Sequence, residues 1–195
     1  MWKVNEIFCS LQGEGCNTGT ASVFVRFSGC NLKCNFCDTD HNSGTQMSLP
    51  AIISEVCKYP KAPLIVLTGG EPSLVIDDEL ILGLKSTGKK IAIETNGTHK
   101  LPSGIDWVTL SPKFTFVGGD AQPCVLTECD ELKVVYCGQD LAVYDDIVAK
   151  HKFLQPCFVA DEQQCRQNIN ICVEAVLAHP DWRLSLQTHR ILNIR

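Results

Sequence analysis

The chain has 195 residues, enough to bury a full hydrophobic core within one domain spanning residues 1–195. Its 45% hydrophobic and 20% charged residues are those of a soluble globular protein, and a net charge of -5 gives no electrostatic case for nucleic acid or an anionic membrane as partner. Met1-Trp2-Lys3-Val4-Asn5-Glu6 lacks the apolar region of a signal peptide, and no apolar run approaches the ~20 residues of a spanning helix, so a cytoplasmic protein is expected.

In chain order, Val4 to Phe8 reads as a strand at the entrance of the domain, followed by the glycine-bearing segment Leu11-Gln12-Gly13-Glu14-Gly15. Val23-Phe24-Val25-Arg26-Phe27 is a strand run broken by one charge, and Cys30, Cys34 and Cys37 come directly after it. Ser48 caps a helix that runs through Pro50 to Tyr59, with proline in the first turn, where its missing N–H is tolerated. Leu64-Ile65-Val66-Leu67-Thr68 is the next strand, and Asp77 to Lys85 has helical spacing. Lys90 to Glu94 and Trp107 to Leu110 are further strands, whereas Phe114 to Cys129 has no periodicity and reads as a loop. Strands at Leu132 to Tyr136, Lys152 to Leu154 and Arg183 to Gln187 alternate with helices at Leu141 to Lys150 and Gln163 to Leu177. Ile169, Cys172, Val173 and Val176 form one face of the latter helix.

This alternation predicts an α/β fold with a mostly parallel sheet. Seven strand signals with about four helices fall short of a closed (β/α)₈ barrel, which takes ~250 residues. An open, partial barrel with reduced helices is expected instead.

The chain carries twelve cysteines, and nothing in it supports export or a disulfide framework. Nine are scattered and read as small buried hydrophobes or unpaired thiols. The other three make a C-x3-C-x2-C loop after a strand, a spacing that wraps a metal cluster. Cubane clusters usually take four cysteines, so three leave one iron open to chelate the amino and carboxylate groups of S-adenosylmethionine (SAM). A structural zinc site completed by a distant residue such as His41 is the alternative from spacing alone.

With Phe36 just before its last cysteine, this loop resembles the signature of the radical SAM superfamily, and Thr68-Gly69-Gly70-Glu71-Pro72 resembles that superfamily's G-G-E-P element. Leu11 to Gly15, Phe27 to Cys34, Cys37-Asp38-Thr39, Glu94-Thr95-Asn96-Gly97, Ser111-Pro112-Lys113 and Leu186-Gln187-Thr188-His189 narrow the resemblance to the 7-carboxy-7-deazaguanine synthase family. The resemblance implies a partial radical SAM barrel with a [4Fe-4S] cluster on Cys30, Cys34 and Cys37. It implies SAM contacts from Phe36, Cys37, Asp38, Gly70, Ser111, Pro112, Lys113, Gln155 and Pro156, and a Mg²⁺ ion on Thr39. Substrate contacts would come from Leu11, Gln12, Gly13, Arg26, Thr68, Gln187, His189 and Arg195, with no catalytic residue beyond the cluster and SAM. The implied reaction converts 6-carboxy-5,6,7,8-tetrahydropterin to 7-carboxy-7-deazaguanine with loss of ammonia, a carbon–nitrogen lyase step toward queuosine. A homodimer and an electron donor such as flavodoxin or ferredoxin complete the expectation.

Several of these residues also carry meanings of their own. Arg26 inside an apolar strand must face a polar cavity or a partner, gripping either a carboxylate or a structural ion pair. Gln12 offers the donor and acceptor that a pterin amide edge requires. Gln187 and His189, two apart on the last predicted strand, would point the same way. A glycyl-radical activating enzyme and a non-enzymatic zinc module remain the competing readings.

Overall fold

The computed structural model describes residues 1–34, 37, 39–114 and 123–195. Among them the chain begins with an antiparallel pair, β1 (Trp2–Leu11) and β2 (Ala21–Phe27), to which β3 (Thr45–Met47) adds on the far side of β1. Helix α1 (Leu49–Cys57), strand β4 (Leu64–Gly69), helix α2 (Asp78–Lys85), and strands β5 (Lys90–Thr95), β6 (Trp107–Leu110), β7 (Glu128–Tyr136) and β8 (Val148–Pro156) follow. Helix α3 (Glu162–Ala178), the short strand β9 (Arg183–Leu184) and helix α4 (Thr188–Leu192) end the chain.

The described strands form one sheet in the order β3-β1-β2-β4-β5-β6-β7-β8-β9, parallel from β2 through β9. The seven parallel strands are the seven apolar runs of the sequence, and their connections shrink from helices α1 and α2 to turns and loops before α3 restores a helix. The architecture is an open α/β barrel-like sheet, as expected.

Strand β4 is the centre of it. Leu64, Ile65, Val66 and Leu67 are all buried, the continuous apolar run of a parallel strand covered on both faces. On the outer face Ile65 and Leu67 join Val23, Val25, Phe27, Ile91 and Ile93 against Ile52 and Val56 of α1 and Leu80, Ile81 and Leu84 of α2. Each such side chain contributes about 1.5–3 kcal/mol on burial. The helices begin where their caps sit: the Ser48 hydroxyl accepts from Ala51 N at 3.4 Å, and the Asp77 carboxylate from Leu80 N at 2.9 Å.

The inner face starts apolar, with Phe8 stacked on Phe24 at 5.0 Å beside Leu64, Val66 and Ala92. Two residues further along each strand it turns polar. The alternation of a strand puts Arg26 above Phe24, Thr68 above Val66 and Glu94 above Ala92, all at the carboxyl ends. Arg26 and Thr68 are direct neighbours in the ladder.

Three sequence expectations change. Leu141 to Lys150 is a 3₁₀ turn over Leu141–Tyr144 followed by strand, because Val148 and Ala149 pair with Glu128 and Cys129 in a longer β7–β8 ladder. The buried face of α3 is Asn168, Cys172 and Ala175, with Val173 exposed, because the Asn168 amide donates to Cys157 O at 2.7 Å and sets the helix rotation. The last strand stops at Leu184, so Gln187 caps α4 and His189 lies inside that helix rather than on a strand. Residues 115–122 of the expected loop lie outside the described residues. No described helix is long and apolar enough to cross a membrane.

Candidate active site

The carboxyl ends of the parallel strands enclose a cavity of about 520 Å³, on the face where barrel-type sheets carry their sites. One end of it is lined by sulfur. Cys30, Cys34 and Cys37 all border the cavity and are free thiols, with Cys37 N donating to Cys34 O at 3.1 Å. Burial raises the pKa of the Cys30 and Cys34 thiols, and for Cys34 the nearby Lys113 ammonium opposes that rise. Cys157 also reaches the wall, but its thiol is engaged with Cys137 at the top of β7 and β8.

The cysteine loop is fixed from below. Asn31 donates to Thr98 Oγ1 at 2.9 Å and accepts from Asn96 Nδ2 at 3.1 Å, which ties the loop to the end of β5. Asn96 N in turn donates to the buried Glu71 carboxylate at 2.6 Å, which also accepts from Thr95 Oγ1 at 2.6 Å and Ser73 N at 3.0 Å. Gly70 packs so tightly under the loop that an added Cβ would lie 1.9 Å from Gly29 O and 3.1 Å from Cys30 Cβ. The Gly69-Gly70 pair therefore exists to let the cysteine loop close over β4, which is more than an ordinary turn demands.

The donor chemistry fits an iron–sulfur cluster. Three thiols on one wall, with a bare glycine backbone beside them, supply soft ligands to separate irons and room for a ligand on an iron the protein leaves open. Among the described residues no three His, Cys, Asp or Glu side chains converge closely enough to hold a single metal ion. A cubane does not require that convergence, since each thiolate takes a different iron. Lys113, from the segment after β6, is half-buried here, donates to Ser111 O at 2.9 Å and has its pKa lowered by desolvation, against the attraction of Cys34.

The opposite end is polar. Gln12 Nε2 donates to Glu94 Oε1 at 3.0 Å, and Thr68 Oγ1 donates to Glu94 Oε2 at 3.0 Å. Lys133 Nζ from β7 contacts the Glu14 carboxylate and stands 3.6 Å from Glu94 Oε1. Gln187 Nε2 donates to Glu14 Oε1 at 2.8 Å. Burial pushes the Glu14 carboxyl up, but the Lys133 charge and hydrogen bond, with bonds from Gln187 and Gln155, more than offset it and hold the carboxyl at about 2.

The C-terminal segment forms the lid of this end. Thr188 N donates to Gly13 O at 2.9 Å, and His189 packs so close that a Cβ on Gly13 would meet its Nδ1 at 2.3 Å. On the flank, Arg26 Nε bonds Glu6 Oε1 at 2.9 Å while its Nη1 reaches Thr39 Oγ1 at 3.4 Å. Arg195 pairs with the same Glu6, and its guanidinium lies 4.6 Å from the Phe8 ring centre.

Leu11, Gln12, Gly13, Arg26, Thr68, Gln187, His189 and Arg195 thus share one cavity with Cys30, Cys34, Cys37, Thr39, Gly70, Ser111, Lys113, Gln155 and Pro156. Pro112, buried between them, does not line it. Phe36 and Asp38 lie outside the described residues. The sequence reading missed Lys133 and Glu131, buried charges at alternate positions of β7. For Lys133 the signal was there, a charge between Leu132 and Val134 like the one that marked Arg26; Glu131, next to Asp130, carried none. It also passed over Glu14 and Glu94 as site groups, although both stand inside the motifs it used.

Comparison with known proteins places these motifs in their lineage. The model of the Radical SAM superfamily matches residues 24–113. The chain is 56% identical over 195 residues, 100% of both chains, to a 7-carboxy-7-deazaguanine synthase of Bacteroides thetaiotaomicron. It is 41% identical over 217 aligned positions, 99% of both chains, to the synthase of Caulobacter vibrioides. In three dimensions it resembles the crystal structure of QueE from Escherichia coli with a TM-score of 0.75, at 28% identity over 95% of this chain and 93% of that one. The chain belongs to the 7-carboxy-7-deazaguanine synthase family of radical SAM enzymes.

Proposed function

We propose that the chain converts 6-carboxy-5,6,7,8-tetrahydropterin to 7-carboxy-7-deazaguanine and ammonia, as a carbon–nitrogen lyase on the route to queuosine. The observation that carries this reading is one cavity joining three cluster-type thiols to a polar end built of Gln12, Glu14, Thr68, Glu94 and Gln187. Such an end recognises a flat heterocycle whose edge alternates donors and acceptors.

Cys30, Cys34 and Cys37 would hold the [4Fe-4S] cluster, with SAM against Gly70, Ser111, Lys113, Gln155 and Pro156. Bound together, these two groups supply one-electron hydrogen-atom abstraction, chemistry no side chain can perform. The net change in substrate is loss of one ammonia without net oxidation, so SAM serves as a cofactor rather than a consumed reagent.

The protein's part is positioning. Gln12 and the carboxylates of Glu14 and Glu94 take the pterin edge. Arg26 and the Thr39 hydroxyl converge at 3.4 Å on the flank, where the substrate carboxylate is received. Thr39 would also hold Mg²⁺, whose preference for hard oxygen is met by the hydroxyl, the substrate carboxylate and waters. The C-terminal segment from Gln187 to Arg195 closes over the bound heterocycle and excludes water and oxygen. A flavodoxin or ferredoxin supplies the electron, and the working form is a cytoplasmic homodimer of one-domain chains.

The test is anaerobic reconstitution with iron, sulfide and a reductant, followed by SAM, Mg²⁺ and the carboxylated tetrahydropterin, with mass spectrometry of the products. The deazapurine acid is expected together with unconsumed SAM. A fully loaded cluster that cleaves SAM yet leaves the pterin intact would refute the reading.

A further inference from the structure

We propose that Lys133 is a positioning residue for substrate recognition, its ammonium bridging Glu14 and Glu94 and holding their carboxylates side by side at the polar end of the cavity. The inference rests on the proposed pterin reading and concerns a residue that makes no part of the cluster or SAM contacts described above.

Lys133 is almost fully enclosed, with a side chain 7% exposed, between the buried Leu132 and Val134 of β7. A buried cation in that position persists only if partners compensate its lost hydration. It has two direct ones, Glu14 and Glu94, and Glu131 two residues earlier on the same face of β7. Burial works against the charged lysine, but these carboxylates outweigh it and raise its pKa.

The geometry gives Lys133 a task besides charge balance. Glu14 sits on the loop before β2 and Glu94 at the end of β5, elements with no ladder between them. The ammonium is the group that bridges the two. Each carboxylate has two oxygens and about four acceptor directions. Glu14 spends them on Lys133, Gln187 and Gln155, and Glu94 on Gln12, Thr68 and Lys133. Both residues line the cavity. Two carboxylates held side by side in this way suit an edge that offers adjacent N–H groups, such as an amino group beside a ring N–H.

Other charges surround the pair. Glu131 holds Cys16 N at 2.8 Å and has its pKa raised by burial, against the pull of Lys133. Lys113 and Glu71 lie on the cluster side, Arg183 acts near Cys16, and His189 lines the cavity over Gly13. None of the cations among them directly contacts Glu14 or Glu94. Without the Lys133 ammonium, only the Gln187 and Gln155 hydrogen bonds oppose the effect of burial on Glu14, and its carboxyl takes up a proton at higher pH.

The test compares wild type with Lys133→Met and Lys133→Arg in anaerobic holoenzyme carrying SAM but no reductant. The readout is equilibrium binding of the carboxylated tetrahydropterin between about pH 6 and 9, well above the value of about 2 to which Lys133 helps hold Glu14. Wild-type Kd is expected to be flat at that end of the site. Lys133→Met is expected to weaken binding roughly ten- to a hundred-fold at neutral pH, the factor carried by one hydrogen bond to a charged group. Its Kd should recover as pH rises, because deprotonation restores the acceptors. Lys133→Arg keeps the charge and is expected to bind with less than about a tenfold loss and no new pH dependence. A Lys133→Met Kd equal to wild type, or weakened equally at every pH, overturns the proposal. If Lys133→Met does not fold, Lys133→Arg decides: an acid limb, or a loss above about tenfold with charge retained, overturns it. Wild type that fails to bind the pterin refutes the underlying function instead, so the two failures are distinct.

Discussion

Replacing Glu71 by glutamine removes one charge and no volume, and its cost follows from the hydrogen bonds that the carboxylate accepts. Glu71 is 1% exposed, and its carboxylate accepts from Ser73 N at 3.0 Å, Thr95 Oγ1 at 2.6 Å and Asn96 N at 2.6 Å. A glutamine can keep its oxygen toward Ser73 and Thr95, which share Oε1. Its amide nitrogen then faces the Asn96 N–H, donor against donor. One charge-assisted bond is lost, at ~1.5–3 kcal/mol, and a buried N–H is stranded, at ~1–3 kcal/mol. The two overlap, and about 3 kcal/mol of stability is the expected loss. Equilibrium urea unfolding of anaerobically prepared protein, with the slope unchanged, measures it. Because the Asn96 side chain also holds Asn31 of the cysteine loop, iron retention should fall in parallel. A loss below ~1 kcal/mol, with full iron content, would show that Glu71 does not bear this load.

Three further outcomes follow. Gly13→Ala places a methyl 2.3 Å from His189 Nδ1 and 3.0 Å from His189 N, so the C-terminal segment must shift; the substrate KM should rise while the iron content stays at the wild-type level. Glu14, lowered to about 2 from an ordinary 4.5, contributes stability that is present above about pH 4.5 and lost as pH falls toward 2; Glu14→Gln should flatten the stability profile in that window, as urea midpoints will record. Thr39→Ala should weaken the stimulation of turnover by Mg²⁺ without changing cluster loading, measured as rate against metal concentration; an equal metal response in mutant and wild type would remove the ion from Thr39.

Much of the fold was legible because inner parallel strands such as β2 and β4 are nearly continuous apolar runs, and all seven parallel strands fall on strand signals of the sequence, although the last stops at Leu184. The cysteine triplet and its neighbours were legible because ligand spacing is a local property. What was not legible depended on partners distant in sequence. Leu141, Tyr144 and Ile147 look helical at spacings of three, yet Val148 and Ala149 are claimed by the β7 ladder. Asn168 on the buried face of α3 escapes an apolar periodicity because its partner is the carbonyl of Cys157. Gln187 and His189 reach the cavity through a helix cap and a helix rather than a strand, so the expected juxtaposition arose by another route. Lys133 carried the same mark as Arg26, a charge amid apolar strand residues, and its meaning emerged only when the sheet brought Glu14 and Glu94 to it.

The site stands or falls on sulfur donors that leave one metal coordination place for a small molecule. Electron paramagnetic resonance of the anaerobically reduced protein, before and after SAM is added, measures this directly. A single reduced [4Fe-4S] signal whose g values move on SAM binding, and which is lost in Cys34→Ser, is the predicted result. A signal indifferent to SAM would contradict the account.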